Sequence, residues 1–231
     1  MTQDWVAEAA RLGLPLSAAQ QAQFAAYEVL LLLWNERLNL TAVRTPEAIR
    51  HRHFLDSLSC GLVLGELNGR SLIDVGTGAG FPGLPLKLLY PELQLTLIES
   101  VGKKAAFLQT VVAELDLAGV TVVTERAETL GQQPAFREQF DWAVARAVAP
   151  LRVLVEYLLP LCRVGGQVLA QKGERAAEEV AEAETAVSLL GGGNLHVQPA
   201  PLDGHFVLID KVTPTPAAYP RRPGMPSKRP L

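Results

Sequence analysis

Residues 71–90, SLIDVGTGAGFPGLPLKLLY, restrict the possible folds more than any other stretch of this chain. Leu72, Ile73 and Val75 give the near-continuous apolar run that a strand buried on both faces requires. Gly76, Gly78 and Gly80 follow at once, and residues without a Cβ allow positive φ or close approach of backbone to a ligand. Pro82 and Pro85 are tolerated only within the first turn of a helix, so a helix should begin near Gly83 and end before Pro91. A strand, a tight loop and a helix in this order turn the positive end of the helix toward the loop. That end would attract an anionic group, a phosphate or a carboxylate.

Details of the loop discriminate between ligands. The dinucleotide fingerprint G-x-G-x-x-G calls for glycine at position 81, where this chain has Phe81, and the third glycine comes one residue early at Gly80. The pattern is D-x-G-x-G-x-G. Asp74 places a carboxylate at the strand end, suited to the ammonium group of a methionine moiety and unsuited to a pyrophosphate. The arrangement resembles the S-adenosylmethionine loop of class I methyltransferases; the plainer alternative is a glycine turn that only packs helix on strand.

At 231 residues and 48% hydrophobic content, the chain is long enough for one α/β domain with an extension. No apolar run approaches the roughly 18 residues of a membrane span. Asp4 and Glu8 stand where a signal peptide would have basic residues, so a cytoplasmic protein is expected. Cys60 and Cys162 have no metal-ligand or disulfide-framework spacing and read as buried thiols, and no metal is expected. The net charge of −3 hides a segregation. Residues 174–184 hold Glu174, Glu178, Glu179, Glu182 and Glu184 against Arg175, whereas residues 219–231 hold Arg221, Arg222, Lys228 and Arg229 without an acid. Such asymmetry suits a nucleic-acid enzyme with one working face, or a solvated acidic helix and a loose basic tail without regular structure.

Residues 1–68 read as helices forming a cap on the sheet domain: one helix capped by Ser17, one opened by Thr45 and Pro46, and one capped by Asp56. From there strand and helix alternate, which implies parallel βαβ units. Strands are expected at 71–75, 93–99, 120–124, 142–145 and 167–170, and an antiparallel closing pair at 195–198 and 206–211. The acidic helix should run from about 174 to 190 and stop at Gly191, Gly192 and Gly193. Seven strands in this sequence fit a doubly wound, mostly parallel sheet of the class I methyltransferase (Rossmann-like) kind, with residues 69–212 as the cofactor-binding domain and 213–231 as a basic, proline-rich tail.

Ligands of an open α/β sheet lie at the carboxyl ends of its strands. Those ends offer Asp74 and the glycine loop, then Glu99, whose carboxylate suits ribose hydroxyls, then Ala127 and Glu128 for an adenine edge, then Arg146, and finally Lys172. Glu99 could instead be a surface acid paired with Lys103 or Lys104.

Together these positions resemble the bacterial small-subunit rRNA guanine-N7 methyltransferases, the glucose-inhibited division protein B family. The resemblance rests on WNERLNLT at 34–41, RHFLDSL at 52–58, DVGTGAGFPG at 74–83, ESVGKK at 99–104, RAE at 126–128, ARAV at 145–148, QKG at 171–173 and YPRRPGMPSKRPL at 219–231. It covers nearly the whole chain. It implies cofactor contacts from Gly76, Phe81, Ala127, Glu128 and Arg146, beside the Asp74, Gly78 and Glu99 read from the strand ends and the adjoining Ser100, and a guanosine of the 530 loop of 16S rRNA as substrate. Glu99 stands where many members have Asp, a longer reach with the same role. Asn39, Arg52, Lys172, Arg221, Arg222, Lys228 and Arg229 are the candidates for touching RNA, either as free rRNA or in a small-subunit particle. Asn39 and Thr41 could equally cap the next helix, and His51 and His53 could equally lie on the surface. A monomer is expected.

Guanine N7 offers an unprotonated lone pair at neutral pH, so its methylation needs no general base. The chain accordingly lacks the Asn/Asp-Pro-Pro-aromatic motif of amino-group methyltransferases and the Pro-Cys nucleophile of cytosine-C5 enzymes. Arg146, at the end of the fourth strand, is the candidate catalytic residue, orienting guanine or the methionine end. Two other classes fit part of the pattern: an NAD-type oxidoreductase, against which Phe81 and Asp74 count, and a non-catalytic RNA-binding assembly factor on the same scaffold.

Overall fold

The computed structural model describes residues 4–231. Seven strands, β1 (Ser71–Val75), β2 (Gln94–Ile98), β3 (Val120–Val123), β4 (Phe140–Arg146), β5 (Cys162–Lys172), β6 (Gly192–Pro199) and β7 (His205–Lys211), form one sheet in the order β3-β2-β1-β4-β5-β7-β6. The chain divides into two compact units, Met1–Arg70 with Thr77–Thr124, and Ser71–Gly76 with Glu125–Leu231.

In the first unit, Asp4 caps α1 (Trp5–Arg11) by accepting from Val6 and Ala7 N–H. Ser17 and Gln20 form a reciprocal capping box at the start of α2 (Ala18–Leu38), as the Ser17 signal predicts. Thr45 and Pro46 open α3 (Pro46–Ile49). The Asp56 cap is not found. A π-turn over Arg50–Leu55 carries the chain directly into α4 (Asp56–Ser59) and, after a turn at Cys60, α5 (Gly61–Leu64), so Asp56 has helical φ and ψ inside a continuing helix. The reason is burial. Phe54, Leu55 and Leu58 all lie in the core, and the wider turn brings residues otherwise off-phase onto that face. The aromatic rings of Trp5, Phe24, Tyr27, Phe54, Phe81 and Phe107 pack edge-on and offset within 6.4 Å of one another in successive pairs. They join the N-terminal helices to α6 (Gly83–Leu89) and α7 (Gly102–Glu114). The strands β2 (Gln94–Ile98) and β3 (Val120–Val123) of this unit pair in parallel.

In the second unit, β1 (Ser71–Val75) pairs in parallel with β4 (Phe140–Arg146), and β4 with β5 (Cys162–Lys172). Asp141 ties the starts of these strands, accepting from Ser71 N–H and Oγ–H at 2.8 and 2.9 Å and from Arg163 at 2.8 Å. The helices are α8 (Ala127–Leu130), α9 (Leu151–Leu158) and the acidic α10 (Ala176–Leu189). The expected antiparallel pair closes the sheet as β6 (Gly192–Pro199) and β7 (His205–Lys211). Only Gly191 stops α10: Gly192 and Gly193 already pair with Lys211 and Asp210, so β6 is longer than its apolar residues indicate. A last short helix, α11 (Met225–Lys228), lies in the segment expected to be irregular. Among the described residues, no helix is long and apolar enough to cross a membrane.

Cys162 opens β5 with its thiol enclosed, and burial pushes that thiol from an ordinary 9.0 up to about 12. A raised folded-state pKa stabilises below the unfolded value and loses that stabilisation as pH climbs toward the folded one. The stability advantage of wild type over Cys162→Ala should therefore narrow by about 1.4 kcal/mol between pH 8 and pH 10 in urea unfolding. A gap that stays constant over that interval would show that the thiol ionises as freely folded as unfolded.

Candidate active site

In the first unit the glycine loop is closed by its own backbone. Thr77 N–H bonds to Ile98 O at the end of β2 (3.1 Å), and Gly80 and Phe81 N–H both return to Thr77 O (2.9 and 3.0 Å). The Tyr27 hydroxyl donates to the Ala79 carbonyl from α2. The residues of this loop have different reasons to be glycine. A Cβ on Gly80 would collide with Leu84 and the Tyr27 hydroxyl, whereas a Cβ on Gly78, at φ +61°, would meet nothing within 4 Å. Packing explains the first, whereas the second combines a left-handed φ with open space beside it.

Glu99 faces that opening. Its Oε2 accepts Gly78 N–H at 3.1 Å and its Oε1 accepts Val101 N–H at 2.8 Å, with the residue 5% exposed. It is held by backbone amides, not by Lys103 or Lys104. Each carboxylate oxygen has a second acceptor position, so the acid remains able to receive hydroxyl donors. Ser100 follows on the surface.

The helix after the loop offers less to an anion than its position suggests. Pro82 and Pro85 have no N–H, and Leu84 N–H is bonded to Gly80 O at 2.8 Å. The expected attraction for a phosphate is weakened at its source, because the loop itself consumes the donors.

Phe81 is 4% exposed and its ring lies between Tyr27 and His53, 5.7 and 4.6 Å between centroids. His53 in turn meets the Thr41 hydroxyl at 2.7 Å. His53 and Thr41 thus support the loop from behind, a role that sequence spacing does not announce. His51 lies 3.5 Å from Glu8. Asn39 ends α2 in the left-handed conformation and accepts from Arg44 at 3.2 Å, capping the helix behind it and not the one ahead. Asn39 and Arg52 are exposed.

In the second unit, Asp74 is fully buried at the end of β1, in register with Val144. A Cβ on Gly76 would come 2.8 Å from the Val148 side chain, so this glycine lets the loop after β4 approach. Arg146 is the last residue of β4, half-buried, and Ala147 beyond it takes a left-handed φ of 56°. That reversal is fixed by Lys172, whose ammonium donates to Ala149 O and pairs with Glu179, both at 2.7 Å, while Glu179 also receives Leu151 N–H. Lys172 has 7% of its side chain exposed. It braces the Arg146 turn and does not present its charge outward.

Ala127 and Glu128 open α8, both buried. Glu128 Oε1 accepts Gly224 N–H at 2.9 Å, from the C-terminal segment. This segment packs on its unit throughout. Arg221 makes a two-pronged pair with the fully buried Glu156, Nε to Oε1 at 2.9 Å and Nη2 to Oε2 at 2.6 Å, which raises the arginine pKa. Arg137 donates to the carbonyls of Tyr219 and Thr215. Of the four tail cations, Arg221 thus points inward, and Arg222, Lys228 and Arg229 are exposed.

The match to a family model, described as "GidB: rRNA small subunit methyltransferase G", spans residues 20–203. Proteins named ribosomal RNA small subunit methyltransferase G from Roseiflexus castenholzii and from Roseiflexus sp. (strain RS-1) are each 56% identical over 223 residues, covering 95% of this chain and 95% of theirs. Among solved structures, an S-adenosylmethionine-dependent O-methyltransferase of Thermotoga maritima superposes with a TM-score of 0.55 at 14% identity, over 79% of this chain and 71% of its own. That likeness bears on the fold, as a seven-stranded, mostly parallel methyltransferase sheet. The family model matches most of the chain and the relatives match it at 56% identity over nearly its full length, and the chain belongs to the rRNA small subunit methyltransferase G family.

Proposed function

We propose that this protein transfers the methyl group of S-adenosylmethionine to N7 of a guanosine in the 530 loop of 16S rRNA, as a cytoplasmic monomer acting on rRNA or the small ribosomal subunit. The observation that carries the reading is the open face of Gly78 hydrogen-bonded to Glu99. A glycine with space where its Cβ would be, next to a fixed acceptor, fits a nucleoside edge, and the relatives' shared name supplies the substrate class. The scarcity of donors at the start of α6 favours this over the pyrophosphate of an NAD-type enzyme.

The donor, when bound, supplies an electrophilic methyl group on a sulfonium sulfur. The chain's task is then to bind and orient. Glu99, with Ser100 beside it, receives the ribose hydroxyls; Ala127 and Glu128 address the adenine edge; Asp74 offers its carboxylate to the ammonium group, and Gly76 and Phe81 shape the loop between them. Arg146 orients guanine or the methionine end with a planar fork of donors, on a strand end whose following turn is held by the Lys172–Ala149 brace. No residue has to accept a proton from N7. Alignment alone can supply about 7 to 11 kcal/mol of a barrier. The target base must be unstacked, because the A-form major groove that carries N7 is too narrow to enter. Asn39, Arg52, Arg222, Lys228 and Arg229 supply exposed groups for the RNA. Arg221 and Lys172 are already committed to buried or half-buried acids and act through the fold.

Gly78→Asn should lower S-adenosylmethionine affinity by at least about tenfold with the fold retained, since asparagine tolerates the left-handed φ of +61° and its side chain meets no protein atom near its Cβ while filling ligand space. Calorimetry with unchanged affinity would remove the loop from cofactor binding.

Single-turnover methyl transfer on bound RNA should be nearly flat from about pH 6 to 9, because no general base titrates. Arg146→Lys should slow that step, and the product should be cleaved at the modified guanosine by reduction and aniline. A steep pH limb, or methylated RNA that resists cleavage, would contradict N7 as the nucleophile.

Neutralising Arg222, Lys228 and Arg229 together should flatten the salt dependence of RNA binding by up to about 0.7 log units for each RNA phosphate that is no longer neutralised. Cofactor affinity should stay as in wild type. A salt slope that does not change would mean that RNA is held elsewhere.

A further inference from the structure

The inner side of the C-terminal segment is a row of anchors on α8 and α9. Arg221 gives Glu156 its backbone N–H at 2.8 Å in addition to the guanidinium fork. Pro220 lies across Gly131 at the end of α8, where a Cβ would come 2.7 Å from the proline ring. Gln132 donates to Pro220 O at 2.7 Å, and the Tyr157 and Ser227 hydroxyls meet at 2.9 Å. Between these anchors Gly224 gives its N–H to Glu128.

The helix so covered is four residues long and has no side-chain bond at its N-cap. A single turn has almost no stability of its own, so its orientation is set by what packs against it. Glu128 stands on that turn with one carboxylate oxygen held by a backbone amide of the strap, which limits the plane in which the other oxygen accepts.

We infer that Glu156 and Arg221 are a positioning pair for the methyl donor: they latch residues 219–228 across α8 so that Gly224 N–H fixes the Glu128 carboxylate toward the adenine edge. The inference rests on the proposed contact between Glu128 and adenine. The latch touches no substrate atom. It separates the tail's two sides, an inner one that sets donor affinity and an outer one that carries Arg222, Lys228 and Arg229.

The full-length chain tests this with three variants: Glu156→Gln, which keeps shape and removes the charged fork; Arg221→Lys, which keeps charge and removes the planar geometry; and Glu128→Gln as the direct contact. Hydrogen exchange of the amides in 219–228, calorimetry with S-adenosylmethionine, and the split between KM and kcat are the readouts. In Glu156→Gln the strap amides should exchange faster while β1 and β4 exchange as before, and Kd and KM for the donor should rise about tenfold with kcat at saturating donor within about twofold. Arg221→Lys should fall between this variant and wild type, and it carries the same comparison if Glu156→Gln does not fold. Faster strap exchange with unaltered donor affinity would overturn the latch, as would strap exchange that does not change. Wild-type donor affinity in Glu128→Gln would instead overturn the adenine contact on which the inference rests.

Discussion

The hydrogen bond from Gly78 N–H to Glu99 is the constraint around which the glycine loop of the first unit is built. It requires the loop to turn through left-handed residues immediately after a strand, and it requires the acid to sit at the end of β2. The loop cannot drift, because Thr77 N–H is bonded to Ile98 O and Ala79 O to Tyr27. Tyr27 is itself wedged between Phe54 and Phe81, and the loop is thereby fixed by an aromatic core that reaches back to α1. The N-terminal helices are in this sense part of the loop's mechanical support. Truncating Tyr27 would remove a buried donor and leave the Ala79 carbonyl without it, a cost of about 1–3 kcal/mol besides the forfeited packing.

The second unit uses buried ion pairs for the same purpose. Lys172 with Glu179 holds the turn after β4, and Arg221 with Glu156 holds the C-terminal segment. Such pairs contribute little net stability compared with apolar replacements, but losing one partner strands a charge and costs about 3–5 kcal/mol. Their value lies in selecting one geometry. That is consistent with where they are found, next to Arg146 and next to Glu128.

The strand–loop–helix at 71–90 was legible in the sequence because apolar run, glycine spacing and proline position all point to one local structure, and the same holds for the Ser17 cap. The ends of strands were less so: β5 extends back to Cys162 because pairing with Phe140, not its own composition, sets its start. The π-turn was not legible, since Asp56 followed by apolar residues reads as a cap and only burial of Phe54 and Leu55 overrides it. The fates of Lys172 and Arg221 were hidden for another reason. A run of positive charge states how many cations there are, not which of them faces a buried acid 65 residues away.

Three perturbed groups serve to hold the fold. Lys87 donates to the carbonyls of Pro91 and Leu93, and Lys211 to Leu190 O and Thr215, and burial lowers the pKa of both lysines. Cys162 is raised by enclosure at the start of β5. These three sit in structural anchors. An enzyme that moves protons must place such perturbation at its reacting centre, because a general acid or base has to titrate near the working pH. The proposed methyl transfer to an unprotonated ring nitrogen carries no such requirement. It calls for rigid acceptors and donors, and the proposed ones are backbone-held Glu99 in the first unit and, in the second, strap-held Glu128 and the braced turn after Arg146.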